Sequence, residues 1–545
     1  MDTITIAVVL VFLGVTAFLG WLGWRQTKNT SDYLLAGRKT HPLIMAISYG
    51  STFISTSAIV GFGGAASKYG MGILWLTFLN ILVGIFIAFV LFGKRTRKMG
   101  HTLDAHTFPE LLAKRFDSKF LQVACGLVIF VGMPLYAGAV MLGGATYLVQ
   151  SLAISKELAI LILVVLVTAY VMFGGMKGVM YTDAFQGTIM FVGMLILLVV
   201  TYATLGGVAQ AHERLAMLPS NLDGPSQAMV AGWTKDGFTG WMSMPAFGSP
   251  IWMQLVSTIV LGVGIGVLAQ PQLIVRFMTV KSDRELNRGV LIGGIFIFAM
   301  TGVAFVCGAL SNVWFWDLNK VISIAGTITA AAPKGNPDAV IPNFIMTALP
   351  WFNAIFMVTL LAAAMSTMSS QVHTMGSSLG RDVLETSIGF RAKKGNWVVR
   401  GAMMAGILLS AMLAWYLPIF FGKDGTAVIA TGTSLFFGLC ASTFLPLFAF
   451  GLFWKGATKQ GAIWGFCIGL GLSILWLLFF YAKVSGALGL SAALFGVPSL
   501  AGPGFVKDLD PIIVATPVAA VVLWLVSLAT PKYPPQWLEK VFGGK

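Results

Sequence analysis

The chain has 545 residues, of which 57% are hydrophobic and only 10% charged; 35 Lys and Arg against 20 Asp and Glu give a formal charge of +15. A soluble domain carries about 25% charged residues, so this chain lacks the polar coat of a soluble enzyme or a nucleic-acid binder. The four cysteines, Cys125, Cys307, Cys440 and Cys467, lie in apolar runs without metal-ligand spacing, which points to neither disulfides nor a metal centre.

In chain order, thirteen runs are long and apolar enough to cross a bilayer, which takes about 20 residues per helix. They cover 4–24, 42–66, 70–93, 120–151, 156–173, 181–206, 249–274, 288–313, 352–380, 397–418, 425–454, 459–481 and 511–530. The first starts acidic and lacks a basic leader, so it reads as a retained span and not as a signal peptide. The longest connections, 207–248, 314–341 and 482–510, are too short for a catalytic domain. The expected fold is an all-α polytopic membrane protein. Lys and Arg favour the cytoplasmic side. With the N-terminus outside and the C-terminus cytoplasmic, 26 basic residues fall in inside segments and nine in outside ones. The positive charge is thus a topology signal for a plasma (inner) membrane protein, with no nucleic-acid partner. No GxxxxGK[ST] loop and no HExxH occur, so neither ATP-driven transport nor metalloprotease chemistry is supported and no enzyme is expected.

Four places put polar or helix-breaking residues at membrane depth, where they are expensive. The second span reads Ser48-Tyr49-Gly50-Ser51-Thr52-Phe53-Ile54-Ser55-Thr56-Ser57, followed by Gly61, Gly63 and Gly64. Such a run either breaks the helix, exposing carbonyls that bind cations near the midplane, or packs small residues against a neighbour. The sixth span begins near Asp183, a lone carboxylate at its cytoplasmic end. The seventh contains Gly262, Gly264, Gly266 and then Gln270-Pro271, which a firm helix does not tolerate. In the ninth, Ala363, Ser366, Thr367, Ser370 and His373 form one stripe with Ser369 beside it. Hydroxyls and carbonyls can replace a hard cation's water shell; His373 alone reads as a hydrogen-bonded packing residue. Interrupted helices five spans apart point to an inverted-repeat transporter with a midplane site.

Four stretches carry a resemblance: DYLLAGR (32–38), GGMKGVMYTDAFQ (174–186), AQPQLIVRFM (269–278) and LAAAMSTMSSQ (361–371). The chain resembles the sodium:solute symporter family, which includes proline, pantothenate, monocarboxylate, sialic acid and sugar transporters. The resemblance implies a LeuT-like five-plus-five inverted repeat with discontinuous helices. One span and the DYLLAGR loop (1–41) precede repeats at 42–206 and 249–454, and two further spans and a short tail (455–545) follow. It implies Na+ as the coupling ion, at a main site of the Ser51, Ile54 and Ala363 carbonyls and the Ser366 and Thr367 hydroxyls. A second Na+ site would use Asp183, Ser366, Ser369 and Ser370. Solute would lie by Phe53, Ser55, Thr56, Val263, Val267, Gln270 and Pro271. Val263 and Val267 stand where the proline members carry aromatics, and Phe53 where they carry Asp. FISTSAIVGFGGAASKYGMG (53–72) is similar to the pantothenate and monocarboxylate members. The resemblance thus implies Na+-coupled symport of a small carboxylate by alternating access. A proline-like symporter and a solute sensor with little flux are the alternatives; the chain ends about fifteen residues after its last span, with no signalling domain expected. The expected partners are Na+, a small-molecule substrate and the lipid bilayer, with no protein partner indicated by the sequence.

Overall fold

The computed structural model describes residues 3–330, 332–389, 397–422, 426–502 and 504–543. Arg391, Lys393, Lys394, Lys423 and Lys545, counted in the charge tally, lie outside them. The architecture is helical, and no strand occurs among the described residues beyond two isolated bridges. The principal helices are α1 (Thr3–Gln26), α2 (Pro42–Phe53), α3 (Ser57–Thr102), α4 (Lys119–Leu152), α5 (Lys156–Thr204), α6 (Pro250–Ala269), α7 (Pro271–Phe277), α8 (Asp283–Asn319), α9 (Asn353–Ser377), α10 (Trp397–Phe421), α11 (Val428–Phe453), α12 (Lys459–Phe479) and α13 (Ile512–Ala529).

Among the described residues, 11 helical segments are long and apolar enough to cross a membrane, against the thirteen expected. The difference comes from two expected pairs that each run on as one helical segment. The 49 residues of α5 would measure about 74 Å if straight, more than twice the roughly 30 Å of hydrocarbon. Its one break is Gly175, at φ 56 and ψ −162, a conformation that glycine adopts without strain. In α3, 46 residues long, the chain turns at Gly70, at φ 60 and ψ −149, where the Met71 N–H donates to the Trp241 carbonyl.

Both expected interruptions are real breaks. α2 stops at Phe53, and Ile54 is extended at φ −87 and ψ 101. Ser55 then restarts the helix: its Oγ accepts the Ser57 N–H at 3.1 Å, and its carbonyl accepts the N–H groups of Ala58 and Ile59. Between α6 and α7, Gln270 is extended at φ −75 and ψ 113. Pro271 forces this, since it disfavours a helical conformation in the residue before it and has no N–H to give.

The centre of the bundle is α9, buried continuously from Phe356 to Ser377 and packed among α5, α4, α10 and α2. Small residues let α5 come close on two sides. A Cβ at Gly193 would collide with the Thr359 side chain of α9, and one at Gly187 would meet Ile47 Cγ2 of α2 at 2.6 Å. The end carrying the basic loops is closed by helix Phe108–Phe116. Its Glu110 pairs with Lys114 at 2.9 Å and with Arg381 at 3.3 Å, and the neighbouring Thr107 donates to Asp382 at 2.8 Å.

Candidate functional site

The break in α2 leaves the carbonyls of its last turn without helical N–H partners, and α9 brings its hydroxyls to them. Ser366 Oγ donates to the Ser51 carbonyl at 2.9 Å and lies 3.4 Å from the Ala363 carbonyl. Thr367 Oγ1 lies 3.4 Å from the Ser51 carbonyl and 3.1 Å from that of Thr52. Ile54, the fifth expected ligand, is the extended residue at the break itself. All of these residues are buried. For a hard cation held by oxygens at about 2.3–2.6 Å, ligands at right angles lie about 3.3–3.7 Å apart. The two 3.4 Å contacts meet that spacing, and the shorter two need open by only a few tenths of an ångström. Uncharged oxygens in this arrangement suit a monovalent hard cation.

Asp183 lies in a second cluster, adjoining the first. Its Oδ1 accepts from Ser369 Oγ at 3.1 Å; its Oδ2 lies 3.0 Å from Ser48 Oγ, 3.2 Å from Thr52 Oγ1 and 3.3 Å from Ser370 Oγ. Ser366 reaches this cluster through its carbonyl, which accepts from Ser369 and Ser370, while its hydroxyl stays with the first.

A cation is already present there. Arg276 is fully buried, and its Nη2 is 2.8 Å from Asp183 Oδ2 and 2.6 Å from both Thr52 Oγ1 and Ser370 Oγ. Its Nε donates to Ser48 Oγ at 3.1 Å and its Nη1 to the Gln272 carbonyl at 2.5 Å. Arg276, counted by sequence among the inside-loop charges, lies instead in the buried centre of the bundle. The signal was the break itself: the helix restarts at Pro271, so a charge five residues further on lies in a new helix and not in a loop. Ser48 and Thr52 were read as part of a hydroxyl-dense run and not as members of this cluster.

The expected solute residues are less united. Phe53 closes α2, and Ser55 Oγ faces the Tyr136 hydroxyl at 3.4 Å. Tyr136 in turn sits edge-on to Phe437, with ring centroids 5.1 Å apart. Neither aromatic stood out in the sequence, because each lies in an ordinary apolar run. Thr56 gives its hydroxyl to the Val140 carbonyl at 2.6 Å and so serves packing against α4. Val263 and Val267 are buried on α6, the latter beside Gly84. Gln270 takes a hydrogen bond from Gln272 Nε2 at 3.1 Å, and Pro271 starts α7. The four quoted stretches pack around one centre. Asp183, Arg276, Ser369 and Ser370 join three of them, and the DYLLAGR stretch docks through Asp32–Lys177 at 2.8 Å and through the Tyr33 carbonyl, 3.0 Å from His373 Nε2.

Above the site, away from the basic loops, lies a cavity of about 320 Å³ reaching Ala65, Thr258 and Ala430. Toward the basic end, the space among Leu34, Phe108, Val275 and His373 is only about 10 Å³. The basic end also carries two larger clefts, of about 500 Å³ beside Asp32, Lys39 and Lys177 and about 780 Å³ beside Asp104, Lys119 and Lys540.

Residues 33–469 match the sodium:solute symporter family. The sodium/proline symporter of Staphylococcus aureus (strain JH9) is 27% identical over 489 residues, covering 87% of this chain and 86% of that protein; the protein of strain JH1 gives the same values. A solved structure of a Na+-coupled sialic acid symporter in a substrate-bound outward-open state aligns with a TM-score of 0.69 at 16% identity, over 97% of this chain and 99% of that one. That likeness establishes the fold as LeuT-type. With four-fifths of its length matched, the chain belongs to the sodium:solute symporter family, and sodium is its coupling ion.

Proposed function

We propose that the protein couples sodium entry to uptake of a small solute bearing a carboxylate, such as a monocarboxylate or a pantothenate-like acid, by alternating access. The observation that carries this reading is the meeting of the Ser51 and Ala363 carbonyls with the Ser366 and Thr367 hydroxyls at the break in α2. Sodium bound there holds α2 against α9 and favours the state open to the 320 Å³ cavity. Solute binds beside the breaks at Ile54 and Gln270, where half-helix N-termini stabilise a negative charge. Closure above and opening at the helix Phe108–Phe116 end then release both. The driving force is the sodium gradient plus about 2.3 kcal/mol per charge per 100 mV.

In this reading α3 and α5 each cross twice, giving thirteen crossings, ten of them in repeats 42–206 and 249–454 with one before and two after, the N-terminus outside and the basic end cytoplasmic. One sodium ion is coupled per cycle, since the Arg276 guanidinium lies where a second would bind Asp183. Proline is the second reading, favoured by the S. aureus relatives; it too carries a carboxylate. The test is uptake of labelled acetate, pyruvate, pantothenate and proline into proteoliposomes with and without an inward Na+ gradient. Uptake that ignores Na+ and follows a proton gradient would overturn the reading.

A further inference from the structure

The 320 Å³ cavity contains two ammonium groups, Lys68 and Lys483, and no carboxylate lines it among the described residues. Lys68 comes from the upper half of the broken second span and Lys483 from the short helix Ala482–Leu488 after α12. Neither makes an ion pair among the described residues. Lys68 rests instead against the rings of Tyr69 and Trp233, at 5.8 and 5.7 Å from their centroids. Polar atoms complete the lining: Gln254, whose Oε1 accepts from the Tyr69 hydroxyl at 3.2 Å, Thr258, and Ser434, whose buried Oγ has no hydrogen-bond partner. Asp236 and Asp508 act on these lysines from outside the lining.

We propose that Lys68 and Lys483 form an anion-capture site in this cavity, which takes the carboxylate of the incoming solute before it reaches the broken helices. Two like charges line one water-accessible space whose described lining holds no carboxylate, and Asp236 and Asp508 attract them only from behind it, so an anion that enters is the counter-charge on the cavity side. Burial and repulsion by Lys68 bring the Lys483 ammonium down to about 8, against the pull of Asp508, and a bound anion relieves that repulsion. A cleft of one charge sign with low-dielectric walls focuses the field and raises the local concentration of the opposite charge. The partnerless Ser434 hydroxyl supplies a donor at the inner wall.

The inference rests on the carboxylate reading, and the experiment separates the two. Wild-type uptake of acetate, pyruvate and pantothenate tests the substrate class; the KM of Lys68→Gln and Lys483→Gln for whichever of these anions is carried tests the capture site. Each variant is expected to raise KM at least five-fold, with Vmax and the Na+ half-saturation within two-fold of wild type. Lys68→Arg and Lys483→Arg are expected to restore the wild-type KM, and wild-type thermal midpoints exclude a folding defect. An unchanged KM in both Gln variants, or a defect that Arg does not rescue, overturns the capture site and leaves the carboxylate reading standing. A wild type that carries only neutral or zwitterionic solutes overturns both.

Discussion

The Asp183–Arg276 pair makes the sharpest prediction. Both side chains are fully buried and 2.8 Å apart. At an effective dielectric constant of about 20 their attraction is about 6 kcal/mol, and it is offset by a desolvation penalty of several kcal/mol per ion. The pair as a whole is therefore close to break-even, while removing one partner strands the other and costs about 3–5 kcal/mol. Asp183→Asn keeps an acceptor for the guanidinium but not the charge, so about 3 kcal/mol is expected. Arg276→Met leaves Asp183 with its three hydroxyl donors Ser48, Thr52 and Ser370 around Oδ2 and Ser369 at Oδ1. That constellation is a cation site with its tethered cation removed. Arg276→Met is therefore expected to be unstable in K+, to be rescued by Na+ far more than wild type is, and to show a steeper Na+ dependence of uptake. The double variant Asp183→Asn/Arg276→Met is expected to be more stable than either single in K+. Thermal unfolding of purified protein in Na+ and in K+ measures all four. A double variant no better than the worse single, or an Arg276→Met protein indifferent to Na+, would refute the assignment of the guanidinium as resident cation.

Ser366→Ala and Thr367→Ala each remove one cradle oxygen; at about 1.5–3 kcal/mol per bond to a charged group, the Na+ concentration for half-maximal uptake is expected to rise roughly 10- to 150-fold, and an unchanged Na+ curve would make the stripe a packing device. Thr52→Val leaves the Thr52 carbonyl in place and deletes the hydroxyl that reaches Arg276. It is expected to keep the Na+ half-saturation while lowering the shift that Na+ produces in solute affinity about five-fold, roughly 1 kcal/mol of coupling; a full shift in equilibrium binding would count against it. At the closed end, burial pushes the Glu110 carboxyl up, but Arg381, Lys114 and the His106 N–H outweigh it and hold it below its ordinary 4.5. Its stabilising contribution is thus complete above 4.5 and lost as pH falls through the lower folded value. Glu110→Gln is expected to flatten the loss of thermal midpoint in that acid window, and parallel pH curves would contradict it.

What the sequence made legible followed from local chemistry. While the hydroxyl run around Ile54 suited either a break or close packing until the second interruption paired with it, Pro271 marked that second break, because a missing N–H acts on the nearest turn whatever surrounds it. The ninth-span stripe was legible for the same reason: its periodicity sets which hydroxyls share a face. Partners in space were harder to read. Arg276 resembled a loop cation because an apolar run followed by a charge looks the same whether the helix ends or restarts. Tyr136 and Phe437 belong to apolar runs whose orientation only packing decides. The boundaries between the second and third and between the fifth and sixth spans fell beside the turns at Gly70 and Gly175, but the helical hydrogen bonding that runs on around them joins each pair into one segment.

The two clusters share residues in a way that bears on coupling. Thr52 offers its carbonyl to Thr367 in the candidate sodium site and its hydroxyl to Arg276. Ser366 does the reverse, with its hydroxyl in the cradle and its carbonyl accepting from Ser369 and Ser370. In the proposed mechanism, sodium that tightens α2 on α9 also moves groups that hold the guanidinium. Arg276 continues the connection along α7, since its Nη1 binds the Gln272 carbonyl and the Gln272 side chain donates to Gln270 at the second break. Each link is a hydrogen bond between buried groups, which is costly to leave unmade, so the contacts favour moving together over loosening one by one. A fixed positive charge suits this position better than a second exchangeable ion. It neutralises Asp183, and being covalently part of α7 it ties Ser48 and Thr52 of α2 to the second helix break.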